Sequence, residues 1–193
     1  MNKVLKPFKL ASLGACLSVA LMTGAVTTAN ASSHADEVRA AQAAKIDLKQ
    51  AISIASKQAS GILVSAEFDD DDSDATNGKG GVYELEFSTD SINYEIKVDA
   101  NTGKIVKTES ERLDGDDIND YQLQKKAKIT ITNAMTIAEK QTGGKVLEIE
   151  FKNKRDYAEH PLYYKAKLLK GNSIVSINVD AKTGKTFANK FKK

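Results

Sequence analysis

The chain has 193 residues, 41% of them hydrophobic and 28% charged, which suits a folded domain and excludes a disordered or collagen-like one. Its single cysteine, Cys16, excludes an internal disulfide framework and a cysteine-built metal site. The formal net charge of +2 hides an asymmetry: residues 32–114 carry 9 basic and 17 acidic groups (net −8), whereas residues 115–193 carry 16 and 9 (net +7).

Residues 1–31 read as a secretory signal. Lys3, Lys6 and Lys9 form a positive leading region, Leu10 to Val26 an apolar stretch, and Ala29-Asn30-Ala31 an A-x-A site, which places cleavage between Ala31 and Ser32. The apolar stretch falls short of the roughly 20 residues a spanning helix needs, so cleavage and export are expected rather than an anchor, and no other hydrophobic run is long enough to span a bilayer after signal removal. The expected location is periplasmic or secreted. A second reading comes from Leu13-Gly14-Ala15-Cys16, which is similar to a bacterial lipobox and would make Cys16 an acylated anchor.

Residues 32–45 are polar and alanine-rich and read as a flexible leader. Leu48, Ala51, Ile52 and Ala55 then recur at helical spacing, with Asp47 at the cap position and Gln50 placed to reach back to it. Gly61 would end that helix. After it the period changes to two: Val64, Ala66 and Phe68, then Tyr83, Leu85 and Phe87, then Ile92, Tyr94, Ile96 and Val98 predict three strands with one buried face. A short fourth strand is expected at Ile105-Val106. Residues 113–127, beginning near Asp114-Gly115-Asp116-Asp117, break both periods and read as a linker.

The pattern then returns. Ile129 to Gln141 echoes Ile46 to Gln58 at an offset of 83, with Ile131, Ala134, Met135 and Ala138 on the apolar stripe, Thr130 at the cap and Gly143-Gly144 at the end. Leu147, Ile149 and Phe151, then Tyr164, Ala166 and Leu168, then Ser173, Val175, Ile177 and Val179 repeat the strands, with a short fourth at Thr186-Phe187. Val179 to Lys185 echoes Val98 to Lys104 at an offset of 81. The expected fold is therefore α+β: two tandem units, residues 46–112 and 128–193, each one helix packed on a three- or four-stranded antiparallel sheet. The lysines of the second unit alternate with apolar residues as on a solvated strand face, so its positive charge does not imply a nucleic-acid partner. The opposite net charges lead to the expectation that the halves pack together in low salt.

Helix, alternating strands and a closing Asp-x-x-Thr-Gly-Lys together resemble the PepSY family. The residues that carry the likeness are Ala51 to Ala55 and Ala134 to Ala138, the aromatic-led strands at Tyr83 and Tyr164, and the two closing motifs. The resemblance implies a non-catalytic module, with a peptidase or another exported protein as partner. This chain contains no His-Glu-x-x-His, so any regulated peptidase would be a separate chain. The family brings no defined catalytic set and no cofactor.

In the shared motif, Gly103 and Gly184 suit a turn that needs positive φ, while Asp99, Thr102, Asp180 and Thr183 suit side-chain bonds across it. This is a structural turn reading. The sharpest local feature is Asp69 to Asp74, in which Asp70, Asp72 and Asp74 have the first spacings of a calcium loop. Ala75 then stands where glycine should turn the chain and Gly81 where the bidentate Glu should be, leaving a solvated hairpin tip or a weak calcium site. His34 and His160 are far apart and form no zinc pattern, and His160 reads as a surface loop residue. Tyr163 should face outward if Tyr164 faces the core. The expected function is that of an exported, non-enzymatic binding module that regulates a peptidase in trans. The alternative is a calcium- or cation-responsive envelope protein that uses residues 69–74.

Overall fold

Two helices answer to the two apolar stripes. Helix α2 (Leu48–Ala55) opens with a reciprocal cap, the Asp47 side chain accepting from the Gln50 backbone N–H and the Gln50 side chain accepting from the Asp47 backbone N–H, both at 2.9 Å. Helix α4 (Ile131–Thr142) is capped by Thr130 and ends on Gly143 at φ 73°. The structure is a computed structural model that describes residues 29–76, 80–154 and 157–188. The remaining elements, in chain order, are α1 (Ala29–Ala43), β1 (Ile62–Asp69), β2 (Val82–Ser88), β3 (Ile92–Asp99), β4 (Ile105–Arg112), α3 (Gly115–Lys125), β5 (Lys145–Asn153), β6 (Leu162–Lys170), β7 (Ser173–Asp180) and β8 (Thr186–Phe187).

The fold is α+β, with two helix-on-sheet units, but the two sheets are continuous. The strand order is β4-β3-β2-β1-β5-β6-β7-β8, all antiparallel, and β1 joins β5 through Ser65–Glu150, Ala66–Ile149 and Glu67–Glu148. Both seam strands carry an irregularity at the equivalent place, between Leu63 and Ser65 and between Val146 and Glu148. A single apolar cluster runs under α2 and α4 and includes Leu48, Leu85, Ile96, Met135, Ile149 and Leu168. Sharing that cluster suits units of 60 to 70 residues, since alone each would bury only about 60% of its unfolded surface.

Four sequence expectations about the elements need correction. The expected leader, 32–45, is occupied mostly by α1, and the expected linker, 113–127, is occupied mostly by α3. These helices lack a broad apolar stripe; Val38 anchors α1 and Tyr121 anchors α3, at positions related by the repeat offset. Each crosses to the other unit. Gln42 of α1 donates to the Gly171 carbonyl (3.2 Å) and the Asn172 side chain (3.0 Å) in the β6–β7 hairpin. Gln122 and Lys125 of α3 donate to Asp90 in the β2–β3 hairpin, at 2.8 and 3.2 Å. Two-fold pseudosymmetry thus makes each leading helix a clasp on its neighbour. The third correction is the end of α2: its C-cap is Ser56, and Gly61 at φ 99° instead opens β1. Edge strand β4 is also longer than the two residues expected, extending over eight.

Candidate functional site

The duplicated closing motif forms a knot between the sheet end and the helix start. Asp99 is fully buried, and its Oδ1 accepts from the Thr102 backbone N–H (2.7 Å), the Thr102 hydroxyl (2.7 Å) and the Asn101 N–H (3.1 Å). Its Oδ2 accepts from the Thr76 N–H at 2.7 Å. Burial alone would raise this carboxyl, but the bonds from Thr102 and Thr76 outweigh it and hold the pKa at about 2. Asp180 repeats the pattern with Thr183 (both bonds 2.7 Å) and Lys182 (3.1 Å). Gly103 and Gly184 close the turns at φ 68° and 74°.

The next residue anchors the helix. The Ala100 carbonyl accepts from the Lys45 and Ile46 N–H groups at 3.0 and 3.2 Å, and the Ala181 carbonyl accepts from Ile129 at 3.0 Å. From the sheet, the Tyr83 and Tyr164 hydroxyls donate to the Ile46 and Ile129 carbonyls, both at 2.7 Å. Motif and aromatic-led strand therefore converge on one junction in each unit. Their polar groups are engaged within the fold, in an arrangement suited to holding a helix rather than to turning over a substrate.

The two knots differ in their fourth partner. In the first unit, loop 70–76 supplies the Thr76 N–H. In the second, His160 Nδ1 lies 2.8 Å from Asp180 Oδ2 and its ring stacks on Phe187 at 4.3 Å. His160 is thus tied to the motif rather than being a free surface residue. Sequence reading missed this because residues 160 and 180 approach only through the fold. Tyr163 does lie on the face opposite Tyr164, yet it is buried, with the rings of Tyr157 and Phe187 at 5.3 and 5.5 Å.

The acidic run is not an open tip. Lys97, nearly buried on β3, places its Nζ 2.6 Å from Asp72 Oδ2 and 3.1 Å from Glu84, with Asp74 and Glu95 at 3.7 and 3.8 Å. Asp72 is thereby held below the usual carboxylate range, the Lys97 bond overcoming the opposing effect of burial. Asp70 sits apart, its carboxyl raised chiefly by desolvation. Among the described residues, no three acidic, histidine or cysteine side chains gather as a metal-binding group, Asp70, Asp72 and Asp74 included. Ala31 and Ser32 lie in the backbone of α1; Cys16 and the signal-like stretch lie outside the described residues. Among the described residues no helix is long and apolar enough to cross a membrane.

Strand β4 forms one edge of the sheet and is exposed over most of its length. It pairs with β3 from Ile105 to Arg112 and its last five residues are exposed. Among the described residues no strand pairs along its outer side. Lys107, Glu109 and Glu111 stand opposite Lys97, Glu95 and Asn93, on the polar face. Such a row of backbone donors and acceptors is a template for another strand, while its charges discourage indiscriminate pairing.

The profile of a family described as peptidase propeptide and YPEB domain, PepSY, matches residues 45–109 and again residues 128–188. The chain belongs to the PepSY family. Its two PepSY units account for all eight strands except the last residues of β4, and α1 and α3 lie outside the matched segments. PepSY units are in general propeptide or regulatory modules rather than catalytic ones. No curated protein matches the chain. Among solved structures it is similar to a candidate lipoprotein from Clostridium difficile 630, with 28% identity over 75% of this chain and 92% of that one and a TM-score of 0.41.

Proposed function

We propose that this PepSY protein is exported and regulates a peptidase in trans, by offering β4 as a strand to the peptidase's substrate-binding cleft. The single observation that supports the reading is β4 itself, eight residues long, exposed over its last five residues, and backed by the continuous sheet. A peptidase cleft that holds substrates extended can be filled by a strand whose backbone groups are already aligned, at little further entropy cost. The signal-like leading residues support an encounter outside the cytoplasm, and the family description connects such units with peptidases.

The test is capture and inhibition together. The purified chain is used as bait for the exported proteins of its own organism, and each captured peptidase is assayed with and without it. The reading predicts capture of a peptidase whose cleavage rate falls as the chain is titrated in. Captured peptidases that cleave at an unchanged rate, or no captured peptidase at all, would overturn it.

A further inference from the structure

The pseudosymmetry sets two equivalent junctions side by side, and they are not equally filled. In one, Gln124 of α3 is buried: its side-chain amide donates to the Leu63 carbonyl at 2.9 Å and also reaches the Tyr164 hydroxyl. The repeat offsets map these three residues onto Ala41, Val146 and Tyr83. Those counterparts line a recess of about 120 Å³ between α1, the start of α2 and strands β2 and β5. Alanine has neither the length nor a donor to do what Gln124 does. The recess shares Asp47, Leu48, Lys145 and Val146 with a wider cleft of about 370 Å³ between α2 and α4. That cleft has an apolar floor at Leu48 and Met135 and a charged rim where Lys49 pairs with Glu139.

We propose that the recess is a binding site for a primary amide presented on a peptide, a glutamine or asparagine side chain that takes the place Gln124 fills in the mate, with the wider cleft receiving the flanking peptide. The mate junction shows the chemistry of the occupant: an amide nitrogen donating to a carbonyl in the seam strand beside a tyrosine hydroxyl. At about 120 Å³ the recess is well above the volume one water needs and has room for a group of this size. A carboxylate of the same shape lacks the donor and would set a charge against the carbonyl, so glutamine should be preferred to glutamate. The cleft lies over the middle of the sheet, away from β4, so strand addition at the edge and amide binding here can fail separately.

The experiment is an NMR titration of the 15N-labelled, purified chain with N-acetylglutamine methylamide, with the glutamate analogue as control. The expected result is saturable shifts at Ala41, Tyr83 and Val146 with the glutamine probe only, lost in Ala41→Gln, whose new side chain occupies the recess. Gln124→Ala, which empties the mate, should add a second set of shifts at Leu63 and Tyr164; it carries the test if Ala41→Gln does not fold. Absence of saturable shifts, equal shifts with the glutamate probe, or unchanged shifts in Ala41→Gln would overturn the proposal, as would Gln124→Ala without the second set.

Discussion

Asp99 is a carboxylate with no exposed surface that stays ionised because four donors face it. Its folded pKa of about 2 lies below the roughly 3.9 of an unfolded aspartate. Its contribution to stability is therefore fully present above about pH 4 and is lost as pH falls toward 2. Asp99→Asn should cost about 2–3 kcal/mol at neutral pH, the scale of a hydrogen-bonded charged group, with the difference shrinking toward pH 2; urea unfolding at both pH values measures this. Glu67 has the opposite sign. Desolvation first, then the facing Glu148 and Glu84, push it up to about 7, so the folded chain disfavours its ionised form. Stability from this site is present below about pH 4.5 and lost as pH rises through 7. Glu67→Gln should raise stability at pH 8 by about 1–2 kcal/mol, after discounting for partial exposure, and change it little at pH 4; thermal melts at the two pH values decide it. The turn residues were legible in the sequence because a motif states them locally. The facing of Glu67 by two other glutamates was not, because strand register brings them together across the fold.

Among elements, the legible ones were those with a period. The stripes of α2 and α4 and the alternation in the long strands each bury a face, and burial is what writes a pattern into a sequence. Among the described residues, helices α1 and α3 each bury one large apolar side chain, Val38 and Tyr121, beside the polar Glu37 and Gln124, so their sequences read as leader and linker. The β1–β5 seam left no pattern because a backbone ladder makes no demand on side-chain type. His160 and Lys97 were hidden for another reason: their partners Asp180 and Asp72 lie 20 and 25 residues away. The clasp of α3 carries a testable cost. Gln124→Ala would leave the buried Leu63 carbonyl without its amide donor and should destabilise the chain by about 1–3 kcal/mol, a fall of several degrees in Tm. In loop 70–76 the Asp72 carboxylate is already committed to Lys97. Millimolar calcium should therefore leave Tm unchanged; a rise abolished by joint replacement of Asp70, Asp72 and Asp74 with Asn would favour a cation-responsive loop instead.

At the scale of the whole molecule, the two PepSY units share one sheet, one apolar cluster and two reciprocal clasps. Charge plays a smaller part than the sequence suggested. Ion pairs from Lys49 to Glu139 and Lys167 to Glu37 do cross between the units, but the seam ladder and the core do not depend on salt. Unfolding should be a single transition, with probes in the first and second units giving coincident curves. That shared sheet is also what holds β4 rigid at its edge, and the functional account rests on the edge.

The most direct measurement compares Thr108→Pro and Glu109→Pro in the inhibition assay. Neighbouring strand residues direct their N–H groups to opposite edges, so one proline breaks the ladder to β3 and the other removes only an outward donor and blocks an added strand. Thermal melting identifies which is which. The account predicts that the variant with the unchanged Tm no longer slows the captured peptidase. If that variant inhibits as well as the parent chain, β4 is not the contact and the strand-addition account is wrong.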